Sequence, residues 1–411
     1  MTLSPPAIMS TPLTRRSLAP DLARGLMLLL IALAHAHMFL AHEYTGFRGY
    51  AVDGAALDRV VAGLQVLLVD GRALPMFAAL FGYGLARLAD RRMESGADWP
   101  TARRLVRRRS AWLLAFGFAH ALLLFFGDIL AAYGLIGLVF TGLLAARDRT
   151  LIKTAALLAV LHIAVLAAVG FSAEAAGHVN SYPTLIADPL EAAAMRLTVW
   201  SALTPTVYVV DVLPAFAIGI WAARRRVLDE PGRHLALLRR TAWWGIGIGV
   251  SGGLPLMLAE TQLWAPEAPV AVSVYALHSV TGIAAGFGFA ALIGLVAARR
   301  AEHRADSAAH PAGEAAQRSG VAAHRADGPI TRALAACGQR SLTCYLLQSV
   351  AFTAIFTPMF GNLGARLSDA AASGIAVLVW AATVALAAAM ARAGARGPAE
   401  VLLRRLTYGR R

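Results

Sequence analysis

Long apolar runs alternate along the chain with short polar connections rich in arginine. Runs such as Leu26 to Leu40, Ala111 to Phe126 and Ile375 to Met390 approach the length a helix needs to cross about 30 Å of hydrocarbon. Ten spans are predicted, near 22–42, 59–88, 110–127, 129–146, 151–171, 207–223, 241–259, 270–298, 341–358 and 372–392. The expected fold is all-α, a polytopic integral membrane helix bundle of about 10 transmembrane helices. Pro75 is expected to kink the second span, and Phe81-Gly82-Tyr83-Gly84 to allow close helix approach. Gly127-Asp128 reads as a very tight external hairpin between the third and fourth spans.

The connections set the organisation. Arg15 and Arg16, the stretches Arg87 to Arg109, Arg147 to Lys153, Arg224 to Arg240 and Arg299 to Arg340, and the tail from Arg392 all fall on one side of this threading. The opposite loops carry little beyond Arg48, Arg196 and Arg366. By the positive-inside rule both termini are then cytoplasmic, and a bacterial inner-membrane, multi-pass protein is expected. Four regions follow: a cytoplasmic tail (1–20), an N-terminal bundle of about 8 helices (21–298), a disordered cytoplasmic linker (299–331) and a C-terminal part (332–411) with two spans and a basic tail. Residues 172–206, with Pro183, Pro189 and Pro205, are expected to form an external re-entrant or interfacial piece.

Composition agrees with this reading. The 411 residues are 58% hydrophobic and 15% charged, an apolar excess that a soluble core of this length would not need. The net charge of +14 would suit nucleic acid, but nearly all the basic residues are arginines clustered between apolar runs, so topology and a lipid bilayer explain them and no nucleic acid is expected. Cys337 and Cys344, if on one helix, stand roughly 10 Å apart along its axis, too far for a disulfide. Ala34-His35-Ala36 imitates a signal-peptide cleavage site, yet removing the first run would leave an odd number of spans and discard Asp21 and Arg24.

Ionisable residues within spans mark candidate sites, because they are costly in hydrocarbon. At about 100° per residue, Arg24 and His35 fall within roughly 20° of one helical stripe, to which His42 returns, and His35 lies about 16 Å deeper than Arg24. His37 is turned about 200° away. The second span carries Asp70 and Arg72, read as an ion pair or catalytic groups. The third is introduced by Arg103, Arg104, Arg107, Arg108 and Arg109 and carries His120 ahead of Asp128. Such a cluster suits bidentate phosphate binding, or topology and anionic lipid alone. His303, His310 and His324 read as solvated. No span holds ligands at HxxxH-like spacing, so no metal is expected.

Asp21-x-x-Arg24-Gly25, with His35 ten residues after Gly25, resembles the first-helix motif of transmembrane acyltransferases. Phe77 to Gly84 and Arg104-x-x-Arg107 resemble two further elements of that group. A broader resemblance is to the YeiB-like bacterial membrane proteins, related to heparan-glucosaminide acetyltransferase. It rests on Arg107 to Arg109, Gly117, His120, Gly127-Asp128-Ile129-Leu130 and Tyr133. It continues in Gly338 to Thr343, Tyr345-Leu346-Leu347-Gln348-Ser349, Gly397-Pro398-x-Glu400 and Arg405 to Gly409. The branch more often has Asn where His35 and Cys344 stand.

The resemblance implies a membrane-embedded acyltransferase moving an acyl group from a cytoplasmic acyl-CoA, acetyl-CoA in the first instance, to a sugar or envelope acceptor. In that reading His35 is the general base, Asp128 or His120 orients or assists it, and Arg24, Arg104, Arg107 and Arg108 hold the donor phosphates. Two alternatives stay open: a transporter or channel for protons or a small solute, lined by His35, Asp70, Arg72, His120, Asp128, Asp211 and His278, and a non-catalytic membrane scaffold. The absence of an inverted repeat counts against transport. Homo-oligomerisation is also left open.

Overall fold

The computed structural model describes residues 18–308 and 328–409, with side chains from 304 to 308 left aside. Every extended element among the described residues is a helix, and only isolated bridges such as Tyr44 to Val179 tie the loops. We number the α-helices α1 (Leu18–Ala36), α2 (Ala56–Leu68), α3 (Ala73–Glu94), α4 (Trp99–Leu123), α5 (Leu130–Val139), α6 (Asp148–Ala175) and α7 (Pro189–Leu203). They continue as α8 (Val209–Arg224), α9 (Leu235–Glu260), α10 (Ala268–Ala308), α11 (Pro329–Gln339), α12 (Ser341–Phe356), α13 (Asp369–Arg392) and α14 (Pro398–Tyr408).

Among the described residues, seven helical stretches are long and apolar enough to cross a membrane, against about ten expected. They begin at Leu18, Ala56, Asp148, Pro189, Pro231, Ala268 and Asp369. The apolar α5 and α12 are shorter, and α4 begins with the arginine cluster. Burial separates centre from periphery: 56% of the most apolar window in α1 is buried, against 22% in α6 and 17% in α13. Leu157, Val160, Trp243 and Leu378 are at least 65% exposed, a surface whose apolar character suits lipid rather than water. The C-terminal helices are part of the same bundle, since α1 packs against α11 and α13, and α14 against α4.

Several expectations are corrected. The second span is broken: α2 ends at Leu68, and Gly71, at φ +71°, turns the chain before α3 starts. Pro75 falls in the first turn of α3, where its missing N–H costs nothing, so the break lies before the proline rather than at it. The segment 172–206 is not a separate external piece from Pro189 onward, because α7 passes through a π-helical turn at Thr204–Tyr208 directly into α8. A widened turn absorbs Pro205 without ending the helix. Helix α10 runs to Ala308, ten residues into the expected disordered linker, where alanines and alternating charges favour helix. The rest of that linker up to residue 327, with His310 and His324, lies outside the described residues, as do residues 1–17.

The cysteine expectation also changes. Arg340, with φ −117° and ψ 28°, breaks the C-terminal helix between Cys337 and Cys344. Both thiols are free, buried and within hydrogen-bonding reach of each other.

At the end of the bundle opposite the arginine clusters, α13 is latched to the 41–58 segment. His42 Nε2 lies 3.4 Å from Asp369 Oδ1, while Oδ2 accepts a bond from the Ala51 N–H at 3.0 Å. Asp58 accepts from Ala370 N–H at 2.8 Å and Ala55 N–H at 3.2 Å. These groups line a cleft of about 320 Å³. His42 has therefore left the helical stripe it was expected to share with His35. Burial pulls the His42 imidazole down, but Asp369, with Asp53 and Asp58, outweighs it and raises the group above its ordinary value. A raised histidine stabilises fully below about pH 6.5, and that contribution is lost as pH rises through the folded value. The melting temperature is thus expected to fall between pH 6 and 8, and a His42→Ala profile that stays parallel to wild type would show that the latch carries no proton.

Candidate functional site

Helix α4 carries His120 near its C-terminal end, some 20 Å along the axis from Arg107. Asp98 accepts from Thr101 N–H at its N-terminus, and the Arg196 guanidinium of α7 closes the other end on the Leu122 carbonyl at 3.2 and 2.9 Å. The chain then turns through Phe125 to Ile129, all buried, so the hairpin expected outside is folded into the bundle. Asp128 is fully buried within it. Its Oδ2 accepts from Ala131 N–H at 2.7 Å, capping α5, and its Oδ1 stands 3.0 Å from His120 Nδ1. The ring nitrogen is at contact distance without being aligned as a hydrogen bond. Gly117 makes this approach possible, since a Cβ there would overlap Asp128 and Ala131.

The other face of the imidazole meets α12, where His120 Nε2 is 2.8 Å from Ser349 Oγ. Tyr345, one turn earlier, packs its ring 5.0 Å from His120, and its phenol is buried without a hydrogen-bond partner. Glu400 fixes the start of α12 by accepting from Leu342 N–H at 2.8 Å and Thr343 N–H at 3.1 Å, and the Thr343 hydroxyl also bonds it. A carboxylate on orphan N–H groups holds the helix and favours its dipole. The Gly397-Pro398-x-Glu400 motif is thereby a clasp for the helix that presents Ser349.

Three elements distant in sequence thus bring a carboxylate, an imidazole and a hydroxyl together, with exposures of 0% for Asp128, 2% for His120 and 6% for Ser349. This order is the one that nucleophilic and general-base chemistry needs. Sequence reasoning singled out His120 and Asp128, but Ser349 appeared only inside a motif. Its signal was the one-turn spacing Tyr345 to Ser349 on the helix facing His120.

His35 is beside this site rather than at its centre. Its ring packs on Phe125 at 4.6 Å and lies within electrostatic reach of His120 and His37. It makes no side-chain hydrogen bond among the described residues, which leaves its ring nitrogens open to a ligand proton. Arg24 bonds Asp21 at 3.4 Å and rests against Gly84. Arg104, Arg107 and Arg108 are exposed on α4, where Arg104 bonds the Thr101 hydroxyl at 3.1 Å. Those three arginines form no ion pair with an acidic group among the described residues. By contrast Arg224 and Arg225 both reach Asp148 at 2.9 Å.

A second polar cluster gathers near the α2–α3 break. The Tyr50 hydroxyl donates to Asp70 Oδ2 at 2.7 Å, with Arg48 Nε 4.0 Å from the same oxygen. Arg72 does not pair with the Asp70 carboxylate, as expected from sequence, but turns to the Gly249 carbonyl at 2.8 Å, the Asp70 carbonyl and His278. The left-handed Gly71 between them sends the two side chains apart. His37, packed on Tyr50 at 4.4 Å, has both ring nitrogens unpartnered. Burial, reinforced by Asp70, pushes the Tyr50 phenol well above its ordinary value. A third pair, His162 with Asp211 at 3.3 Å, joins α6 to α8.

The fold is all-helical among the described residues, with several helices long and apolar enough to cross a membrane, and it holds a buried serine, histidine and aspartate together. Residues 222–316 and 320–410 match the family described as "Protein of unknown function (DUF418)". The chain is 26% identical over 272 residues to the uncharacterized protein YxaH of Bacillus subtilis (strain 168), covering 59% of this chain and 66% of that one. It is 32% identical over 159 residues to the uncharacterized protein YeiB of Escherichia coli (strain K12), 38% of each. The similarity thus spans just under two thirds of the first relative and well under half of the second. These matches support a YeiB-like family.

Proposed function

We propose that the chain is a membrane-embedded acyltransferase that takes an acyl group from an acyl-CoA, acetyl-CoA in the first instance, to a hydroxyl or amine of a sugar or envelope acceptor. The observation that carries this reading is His120 held between Asp128 and Ser349, a base and its orienting carboxylate sealed from water. His35, whose ring packs on Phe125 but makes no side-chain hydrogen bond among the described residues, is the base on the acceptor side. Arg104, Arg107 and Arg108, unneutralised on α4, hold the donor phosphates, with Arg24 nearer the bundle interior. In this reading the arginine-rich end, with both termini, faces the cytoplasm of a bacterial inner membrane, and about 20 Å of α4 separates phosphate from reacting carbonyl. No metal is part of the proposal.

The test is direct. Detergent-purified protein should release free thiol from acetyl-CoA in the presence of sugar acceptors. Arg104→Gln with Arg107→Gln should weaken acetyl-CoA binding more than tenfold, about 1.4 kcal/mol. Arg239→Gln with Arg240→Gln, two exposed arginines at the same end, should change it little. Equal losses in both double variants would reduce the cluster to bulk charge.

A second reading is a proton or solute path. The unpartnered atoms His37 Nδ1 and Nε2, Asp70 Oδ1, Arg72 Nε, His278 Nδ1 and Glu260 Oε2 favour it, because buried polar atoms of this density call for water or a ligand. Proton-linked flux in liposomes without thiol release would select it.

A further inference from the structure

We infer that Ser349 is the covalent carrier of the acyl group, so that transfer proceeds through an acyl-serine rather than directly from thioester to acceptor. The inference rests on the acyl-transfer reading and adds a catalytic residue to it. Asp128 Oδ1 stands 3.0 Å from His120 Nδ1, and although the contact is not aligned as a hydrogen bond, the carboxylate's charge favours the proton on that nitrogen. The opposite nitrogen, Nε2, is then an acceptor 2.8 Å from Ser349 Oγ. The hydroxyl's other acceptor, the Tyr345 carbonyl, is farther away at 3.3 Å, so the imidazole is the nearer base. Asp128 cannot swing away, because its second oxygen is committed to the Ala131 N–H at 2.7 Å. The unpartnered Tyr345 phenol, one turn from Ser349 and beside His120, is a donor available to oxygen charge that develops during attack.

The steps balance. Ser349 Oγ attacks the thioester carbonyl carbon while His120 Nε2 takes the hydroxyl proton. The carbon–sulfur bond breaks, and the leaving thiolate recovers that proton from His120, giving free CoA and an ester on Ser349. The acceptor hydroxyl, deprotonated by His120 or by His35 relaying the proton to His120, then attacks the ester carbonyl. Ser349 Oγ leaves and takes that proton from His120 Nε2, and the acylated acceptor departs. The proton of each half-reaction thus passes through His120 Nε2, the nitrogen bonded to Ser349 Oγ.

The experiment uses the full chain in detergent with acetyl-CoA labelled in its acetyl group and no acceptor. A burst of close to one thiol per chain is expected, with the label recovered on the peptide containing Ser349 after acid quench. Ser349→Ala should remove burst and label and lower turnover about 10³-fold or more, with an unchanged melting temperature. Ser349→Cys should move the label to a base-labile thioester. Turnover in Ser349→Ala within tenfold of wild type, or label recovered on a histidine, overturns the serine while leaving acyl transfer standing. Absence of thiol release from wild type with any acyl-CoA and acceptor instead removes the acyl-transfer reading, and Ser349 with it.

Discussion

Asp128→Asn is expected to lower acyl-transfer turnover by about 10² to 10⁴ while the protein melts within a few degrees of wild type. In hydrolase triads the same carboxylate-to-amide exchange costs about 10⁴, because the amide presents a donor to the imidazole and favours the wrong tautomer. The amide oxygen can still accept from Ala131 N–H, so the cap on α5 survives and the fold with it. The loss should fall on turnover and leave acetyl-CoA binding untouched, since the arginines that would hold the donor lie about 20 Å away along α4. A threefold change or less would show that Asp128 is only a helix cap. A collapse of the melting temperature would show that the buried charge supports the bundle and would leave the catalytic role without evidence.

Arg72→Ala is expected to be the most destabilising single substitution in the second cluster, by about 3–5 kcal/mol. Arg72 is fully buried, the largest such side chain among the described residues. Removing it strips the Gly249 and Asp70 carbonyls of their donor and leaves His278 facing a void. Arg72→Lys keeps the charge but cannot reach the two carbonyls as a planar fork, so an intermediate loss is expected. Unfolding in detergent, followed by tryptophan fluorescence, measures both. An alanine variant within about 1 kcal/mol of wild type would mean that water replaces the guanidinium and that the cluster is a hydrated chamber.

Apolar run length located α1, α6, α9, α10 and α13 because lipid demands it of each helix separately, whatever its neighbours do. Residue type also flagged His120 and Asp128, since the cost of an ionisable group in hydrocarbon is a property of the residue and its span. Partners were another matter. Asp70 and Arg72, two residues apart, read as an ion pair or as catalytic groups, yet one left-handed glycine turns them to different neighbours, Tyr50 and Gly249. His42 fitted a stripe with His35 only while the helix was taken to continue, and the chain leaves helix after Phe39 to deliver His42 to Asp369. Cys337 and Cys344 were separated by an ideal helix that Arg340 interrupts. Most of all, Ser349 lies 229 residues from His120, and its one local signal, the one-turn spacing from Tyr345, says nothing of which imidazole it would meet. Composition and periodicity therefore determined the solvent of this protein and the helices that meet it. Which buried groups face one another was decided by tertiary packing, because hydrogen bonding acts over about 3 Å between elements whose approach depends on small residues such as Gly117 and on clasps such as Glu400.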